Sequence, residues 1–446
     1  MYRFSRYKDQ YKSILRLTWP IVLTQLGQVL TQFADNIMVG RYGGDDPVPL
    51  AAVAFGGTVF FILFIAAIGI ALGMTPLVGE LYVLDERKKL AGLLQNGIIF
   101  YTLLGIGMTV TQIAVIPLMY HLGQPIEVVE MAIPYYRMLA YSMPFVMLFF
   151  AFKQFLEGVG NTKVEMVATI ISNIANIGFN SIFIYGNMGF PEMGAYGAGL
   201  GTLLARIIAL ILMLTYFFQK IKYRAYLDGF SLLNYSWSTI RQLLRMGVPI
   251  ASQMFMEASA FVGTGIMMGW LGAAAISANQ ITVTLSNCSF MIVMSIGAAT
   301  TIRVSHCYGA RNIRDLSLAA KASYHLVLVC NLIAAIAFVS LRHYIPMLFT
   351  TNAEVLALTS DLLIFIALFQ LSDGIQNVSV GVLRGIQDVK IIIPIAFISY
   401  WLLNLPVGYL LGFTLGMGAK GLVLGFTFGL SAAAVLLILR ISRSLV

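Results

Sequence analysis

The chain has 446 residues, of which 59% are hydrophobic and only 11% are charged, whereas about 25% of the residues of a soluble domain carry charge. This composition excludes an ordinary soluble globular protein. The net charge of +9 raises the question of acidic partners such as nucleic acid. We expect no nucleic-acid partner, because the basic residues follow the membrane pattern described below.

Twelve apolar stretches follow one another along the chain, and most reach the roughly 20 residues that a helix needs to cross a bilayer. They predict an all-α polytopic membrane protein with twelve transmembrane helices. The first stretch follows a basic N-terminus, as in a signal peptide, but it is too long and lacks a cleavage site, so we interpret it as a retained helix. The stretches cover residues 13–40, 48–75, 92–120, 131–155, 163–188, 194–218, 240–270, 273–303, 317–340, 355–382, 390–412 and 418–440.

Lys and Arg residues between the stretches give the orientation, since cytoplasmic loops of membrane proteins are enriched in them. With the N-terminus inside, one side collects most of the basic residues, and the other side keeps only four. We therefore expect a multi-pass protein of the bacterial cytoplasmic (inner) membrane with both termini in the cytoplasm. The four are Arg41, Arg137, Arg342 and Lys420.

The second half of the chain repeats the first. Four sequence blocks recur in the same order, displaced by 224 to 229 positions, and such periodicity identifies a duplicated architecture. The pairs are LRLTWPI (15–21) with LRMGVPI (244–250), IMVGRYGG (37–44) with IMMGWLGA (266–273), LEGVGNTK (156–163) with LRGIQDVK (383–390), and GAYGAGLG (194–201) with GAKGLVLG (418–425).

Each repeat holds six of the predicted helices, so both repeats enter the membrane from the same side. We expect an N-terminal lobe at 1–218, a cytoplasmic linker at 219–239 and a C-terminal lobe at 240–446, related by a pseudo-twofold axis along the membrane normal. Parallel repeats of this kind are typical of transporters, whose substrate path lies between the two lobes.

Three acidic residues lie within predicted spans, namely Asp35, Glu257 and Asp373. A charged side chain at the centre of a span costs about 2.5–3.5 kcal/mol on insertion scales and usually marks an ion or substrate path. The alternative is that they only join helices, because polar side chains also hydrogen-bond between spans. None of the three has an acidic counterpart in the other repeat, which favours a distinct role in each lobe.

Amides share helix faces with these acids, at spacings of three, four and seven residues. Gln25, Gln28, Gln32 and Asp35 line one face of the first helix, and Asn173, Asn176 and Asn180 line one face of the fifth. Arg206 lies within the sixth stretch and needs a partner, which an acid of the same lobe would supply. Packing and function both remain open for Arg206.

Several of these segments resemble the multidrug and toxic compound extrusion (MATE) transporters of the NorM-type branch. The resemblance covers the whole chain in order. It rests on WPIVLTQLGQVLTQFADNIMVGRYG, LEGVGNTK, NIGFNSIFIYG, QMFMEASAF and FQLSDGIQNVSVGVLRGIQDVK.

The resemblance implies an antiporter that exports cationic or amphipathic organic compounds in exchange for sodium ions or protons by alternating access, without ATP or a cofactor. It also implies cation-binding residues, with sodium a candidate at Asp35, Asn176 and Asn180 or at Glu257 and Asp373. Thr202 is a neighbour of the first group. Side chains that we expect to line the substrate cavity are Gln28, Gln32, Gln253, Asn279, Gln280, Gln370 and Asn377.

Two other functions fit the sequence less well. A lipid-linked oligosaccharide flippase of related architecture would need a basic cavity for its polyanionic substrate, but the residues within the spans are mainly acidic. An intramembrane enzyme would need a nucleophile–base pair or a motif such as HExxH, and the sequence has none; it also lacks the P-loop of an ATPase. We expect a monomer in the lipid bilayer.

Overall fold

The computed structural model describes residues 2–44, 46–229 and 235–444, with side chains from Tyr7 onward. Within these residues the chain is helical and has no strand. The helices are α1 (Tyr2–Gly43), α2 (Val48–Leu72), α3 (Met74–Val83), α4 (Arg87–Met119), α5 (Ile126–Tyr141), α6 (Met143–Gly158), α7 (Lys163–Phe183), α8 (Gly194–Gln219), α9 (Ile221–Arg224), α10 (Trp237–Trp270), α11 (Ala273–Gly309), α12 (Ile313–Ser340), α13 (Ala353–Gly385), α14 (Ile392–Ala396), α15 (Leu405–Tyr409) and α16 (Ala419–Ser444).

The twelve predicted stretches correspond to these helices, which confirms the all-α polytopic class. Two predicted stretches are each a pair of helices that meet at a bend, α2 with α3 and α5 with α6. Ten spans in the described residues are long and apolar enough to cross a membrane. The other two long helices, α1 and α10, contain the acids Asp35 and Glu257.

The eleventh predicted stretch is irregular. Two π-helical segments, Phe397–Asn404 and Leu410–Thr414, alternate with α14 and α15. Pro406 opens α15 and has no N–H to continue the hydrogen-bond ladder. π-Helical turns are rare and often lie at functional sites.

The chain forms two compact units. One, the N-terminal unit, is Pro20–Ala251, and the other, the C-terminal unit, is Met1–Trp19 with Ser252–Val446. The boundaries therefore fall inside α1 and α10, beside their internal prolines Pro20 and Pro249. The lobe and linker limits expected from the sequence stay a prediction, and residues 230–234 of that linker lie outside the described residues.

The duplication seen in the sequence recurs in the contacts of each unit. A Cβ on Gly158 would lie 2.5 Å from Cβ of Val78, and one on the equivalent Gly385 would lie 2.7 Å from Cβ of Val304. Both glycines thus allow close helix packing at matching positions of the two repeats.

The turns that follow α6 and α13 match as well. Gly160 has a φ of +82°, and its equivalent Gln387 has a φ of +63°. Both residues end their helix in the left-handed conformation, a common helix C-terminus. A glutamine pays a steric penalty there that glycine avoids, so the repeat has kept the backbone while changing the residue.

Candidate functional site

The C-terminal unit brings together the acids of α10 and α13. Glu257 is half-buried on α10, and Asp373 on α13 is 7% exposed. The two carboxylates are close enough to repel each other electrostatically. Burial of like charges is unfavourable unless other groups compensate them, so the neighbours of this pair decide its chemistry.

One basic side chain balances the pair through a glutamine. Arg384, on the same helix as Asp373, donates from Nη2 to Oε1 of Gln253 at 2.9 Å. Gln253 in turn donates from Nε2 to Oε2 of Glu257 at 2.7 Å. Arg384 also attracts Glu257 electrostatically, so the guanidinium, the amide and the carboxylate form one connected chain across α13 and α10.

Two further donors hold the acids in place. The Tyr400 hydroxyl hydrogen-bonds to Glu257 and accepts a bond of 2.8 Å from Nε2 of Gln376. Asn377 donates from Nδ2 to Oδ1 of Asp373 at 3.3 Å. This site contains two carboxylates and one guanidinium, so with all three ionised its net charge is −1 and it can accept one monovalent cation or proton.

The N-terminal unit holds the third acid, Asp35 of α1, against two asparagines of α7. Asn180 donates from Nδ2 to Oδ1 of Asp35 at 2.5 Å. With its amide turned so that both ends find partners, Asn176 donates to the same Oδ1 at 2.8 Å and accepts from the backbone N–H of Thr202 at 3.3 Å. The four residues that the sequence grouped as one site therefore lie in contact.

An oxygen atom of this site lacks a donor. Oδ1 of Asn180 is buried and has no hydrogen-bond partner. It faces α8 at Gly201, where a Cβ atom would lie 2.3 Å from it. Buried acceptors are rarely left unsatisfied, and an unpartnered amide oxygen beside a carboxylate is the kind of ligand that a hard cation takes.

The side chains in direct contact with Arg206 are not acids. It donates from Nη1 to Oγ of Ser142 at 2.5 Å, and its guanidinium carbon lies 5.2 Å and 5.6 Å from the ring centroids of Phe60 and Phe64. Cation–π contacts of this length stabilise a desolvated guanidinium. Asp35 interacts with Arg206 only electrostatically.

The residues expected to line the substrate cavity differ in their burial and in their hydrogen-bond partners. Gln253 and Asn377 hydrogen-bond to the acids as described above. Gln370 is buried and instead bonds to Ser289, while its carbonyl accepts a bond of 2.5 Å from Asn331. Gln28, Gln32 and Gln280 are exposed, and Asn279 is half-buried.

No group of three or more His, Cys, Asp or Glu side chains is arranged to hold a metal ion in the described part of the chain. A cation at either site would therefore depend on amide or hydroxyl oxygens in addition to carboxylates.

A family model described as MatE matches the chain twice, at residues 20–182 and 249–410. The chain belongs to the MatE family. The two matches start 229 residues apart, the same displacement as the sequence repeat, and together they cover most of the chain. With its apolar helices, this membership makes the chain a multi-pass membrane protein.

Two bacterial NorM proteins match the chain along nearly their full length. The multidrug resistance protein NorM of Photobacterium profundum is 31% identical over 98% of this chain and 96% of its own. A probable multidrug resistance protein NorM of Idiomarina loihiensis is also 31% identical, over 98% and 95%. These similarities confirm the resemblance seen in the sequence.

Solved structures match the fold. A MATE protein crystallised in its bent conformation superposes with a TM-score of 0.89 at 21% identity, over 99% of this chain and 96% of its own. A MOP superfamily transporter from Pyrococcus furiosus gives a TM-score of 0.88, also at 21% identity, over 98% and 96%. At this identity the likeness concerns the fold alone.

Several residues at the candidate sites of this MatE chain were not predicted from the sequence. Tyr400 and Gln376 support Glu257, and Ser142 holds Arg206. Tyr400 lies in an apolar stretch where aromatic residues are common, and Ser142 lies at the α5–α6 bend. Hydrophobic periodicity reports the burial of such residues and does not indicate their hydrogen bonds.

Proposed function

We propose that the chain is a cation-coupled antiporter that exports cationic or amphipathic organic compounds by alternating access, using sodium ions or protons. The names of its NorM relatives support the substrate class. The observation that carries the proposal is the pair of acids Glu257 and Asp373 in the C-terminal unit, whose hydrogen-bond network among the described residues contains a single basic side chain, Arg384.

The unbalanced negative charge explains how two cations compete. With Glu257 and Asp373 ionised and Arg384 nearby, the site lacks one positive charge. A cationic substrate supplies that charge in one state, and a sodium ion or proton supplies it in another. Since coupling between two ligands is reciprocal, the inward gradient of the small cation drives the organic cation out.

The N-terminal unit provides a second candidate for the coupling cation. Asp35 offers a carboxylate and Asn180 offers a buried amide oxygen that lacks a donor. Arg206 brings a positive charge into the same unit, so this site is closer to neutrality than the pair in the C-terminal unit. We propose that Asp35, Asn176, Asn180 and Thr202 bind the small cation.

Location and orientation follow from the distribution of basic residues. Lys and Arg cluster at the helix ends of one side of the sequence-derived topology, and only Arg41, Arg137, Arg342 and Lys420 fall on the other. By the positive-inside rule, we place the protein in the bacterial cytoplasmic membrane with both termini in the cytoplasm. We also propose that it works as a monomer, without ATP or a cofactor.

The charges at the two sites argue against a flippase for lipid-linked oligosaccharides. Such a polyanionic substrate needs several free cationic groups, whereas Arg206 is held by Ser142 and two aromatic rings, and Arg384 is held by Gln253. We propose transport rather than intramembrane catalysis because the polar groups of both sites bond to one another in a manner suited to holding a cation.

The decisive experiment measures efflux of a fluorescent organic cation from proteoliposomes under a sodium gradient alone and under a proton gradient alone. We expect one gradient to drive efflux in the wild type, and Glu257→Gln or Asp373→Asn to abolish it. The matched control is Glu354→Gln, which removes an exposed acid from the first turn of α13, the helix that carries Asp373. Efflux at the wild-type rate by a variant that carries both Glu257→Gln and Asp373→Asn would overturn the proposal.

A further inference from the structure

A groove of about 660 Å³ opens where α4 ends and α5 begins, and none of its lining residues belongs to either site described above. Its walls combine apolar and charged side chains. It is lined by Ile116, Pro117, Tyr120, His121, Glu130, Ile133, Pro134 and Arg137. A groove that contains both signs of charge and an apolar floor is suited to an amphipathic, zwitterionic ligand.

The two charges of the groove have no ion-pair partner within the described residues. Glu130 and Arg137 lie on the same face of α5, seven residues apart, and both are exposed. At 1.5 Å per residue this spacing is about 10.5 Å along the helix axis, so the two do not neutralise each other directly. Each is available to a ligand.

Their order along α5 matches the order of charges in a phospholipid headgroup. Glu130 lies in the second turn of α5, beside the loop that we place at the membrane surface, and Arg137 lies two turns nearer the middle of the candidate span Ile126–Gly158. In a zwitterionic phospholipid the phosphate lies next to the hydrocarbon and the ammonium lies farther out. Arginine binds phosphate through its planar set of donors, and a carboxylate binds an ammonium.

Two other groups add acceptors near Glu130. Nδ1 of His121 bonds to the carbonyl of Pro117 at 3.2 Å; a carbonyl only accepts, so Nδ1 is the donor, which leaves Nε2 as the one ring nitrogen able to accept. Pro134 has no N–H, so the carbonyl of Glu130 loses its usual helical donor. A primary ammonium has three hydrogens to donate, which suits this set of acceptors.

A path for the acyl chains leads away from the groove. Leu103, Ile106, Val110 and Ile113 of α4 are all exposed, and their spacing places them on one helix face that continues to Pro117. From Leu103 to Ile113 this apolar stripe is about 15 Å long, which is half of the roughly 30 Å hydrocarbon layer.

We propose that this groove binds the headgroup of a phosphatidylethanolamine-type lipid, with the phosphate at Arg137, the primary ammonium at Glu130 and the acyl chains along the α4 stripe. The proposed ligand is a lipid and not free phosphate, because the apolar stripe of α4 is continuous with the groove and would contact acyl chains. It is independent of the transport function proposed above.

The test compares three dioleoyl lipids that differ only in the headgroup: phosphatidylethanolamine, phosphatidylcholine and phosphatidylglycerol. Each is added to the purified, delipidated full-length protein. Binding is followed by native mass spectrometry and by the thermal unfolding midpoint. We expect phosphatidylethanolamine to bind most tightly, because only its headgroup combines a phosphate with an ammonium that donates hydrogen bonds.

Two variants separate the two contacts. Glu130→Gln should weaken phosphatidylethanolamine about tenfold, the effect of losing one charge-assisted hydrogen bond, and so remove its advantage over phosphatidylcholine. Arg137→Gln should weaken all three lipids. Glu127→Gln is the matched control, because Glu127 is an exposed acid in the first turn of α5 that does not line the groove.

Three results would overturn the proposal: equal binding of the three lipids by the wild type, an unchanged headgroup preference in Glu130→Gln, or protection by inorganic phosphate equal to that by lipid. Because both charged residues are exposed, the variants are expected to keep the wild-type unfolding midpoint in the absence of lipid. Native mass spectrometry reports binding even where the midpoint does not change.

Discussion

Asn180 donates its side-chain amide to Oδ1 of Asp35 at 2.5 Å, joining α7 to α1 across 145 residues of sequence. The same amide has a buried oxygen without a donor. One side chain thus both orients the carboxylate and offers an oxygen to a bound cation. Sequence spacing placed Asn176 and Asn180 on one face of α7, but only the structure shows that this face meets Asp35.

Asn180→Ala removes both the donor and the free oxygen. If sodium is the coupling ion and binds here, we expect the sodium concentration for half-maximal transport to rise about tenfold. The measurement is efflux from proteoliposomes as a function of the sodium gradient. Asn173→Ala is the matched control, because Asn173 lies on the same helix and its Nδ2 has no hydrogen-bond partner. Unchanged sodium dependence in a folded Asn180→Ala protein would contradict the assignment.

Arg384→Gln should make the C-terminal site retain its cation. Without the guanidinium, Glu257 and Asp373 carry two unbalanced negative charges when ionised, so a sodium ion or proton binds more tightly and leaves more slowly. We expect about tenfold tighter cation binding together with slower efflux. Cation binding to the purified protein and efflux from proteoliposomes measure the two effects.

Two comparison variants check this interpretation of Arg384. Arg384→Lys keeps the positive charge and should restore part of the efflux, whereas Arg314→Gln removes an exposed arginine from the first turn of α12 and should change neither quantity. If Arg384→Gln bound the cation more weakly, the guanidinium would not be acting as a competing internal charge.

Much of the fold was predictable from hydrophobicity, because a lipid-exposed span must be apolar for about 20 residues and must satisfy its backbone bonds internally. The bends at Gly73 and Ser142 were not predictable, since the residues on both sides are equally apolar. Gly73 allows the backbone of α10 to approach, as a Cβ there would lie 2.7 Å from the amide nitrogen of Gly247. Such tertiary contacts leave no periodic pattern.

The candidate sites were predictable in part for a similar reason. A carboxylate in a span stands out because of its energetic cost, so Asp35, Glu257 and Asp373 could be selected as candidate site residues from the sequence alone. Tyr400 was not found, because an aromatic side chain in an apolar stretch carries no such cost. The partner of Arg206 was expected to be an acid, but a hydroxyl and two rings can also stabilise a buried guanidinium.

Gly158→Ala and Gly385→Ala should both destabilise the protein, because each new methyl group would overlap a valine and approach a backbone carbonyl, at 2.9 Å and 3.1 Å respectively. Overpacking of this kind costs about 1–3 kcal/mol. Thermal unfolding in detergent measures the loss. Gly178→Ala is the control, since nothing lies within 4 Å of its added Cβ and alanine favours the helix.

A compensating change provides a second check on the glycines. Adding Val78→Ala to Gly158→Ala should restore part of the stability, because it removes the nearest overlapping side chain while leaving the carbonyl contact. If Val78→Ala restores stability to Gly158→Ala and Val304→Ala in the same background does not, the loss is due to the local contact between residues 158 and 78. Equal midpoints for Gly158→Ala and Gly178→Ala would contradict the packing argument.

Lys153 and Glu165 form an ion pair of 2.6 Å between α6 and α7, with their side chains 13% and 1% exposed. Glu157, which is 5% exposed, interacts electrostatically with both. Two acids therefore share one ammonium in a buried place. Lys420 and Asp361 form a pair of similar length, 2.7 Å, but are 41% and 46% exposed, so the two pairs differ mainly in burial.

We expect Lys153→Met to be the most destabilising change of this cluster, by about 3–5 kcal/mol, because it leaves the acids without their cation. Glu165→Gln should cost less, since Glu157 can still balance Lys153, and Glu157→Gln should cost least, because it leaves a neutral pair. Asp361→Asn at the exposed pair should cost under about 1 kcal/mol. The unfolding midpoints of the four variants give the order of their stability losses. If Asp361→Asn lowered the midpoint as much as Lys153→Met, burial would not set the strength of these ion pairs.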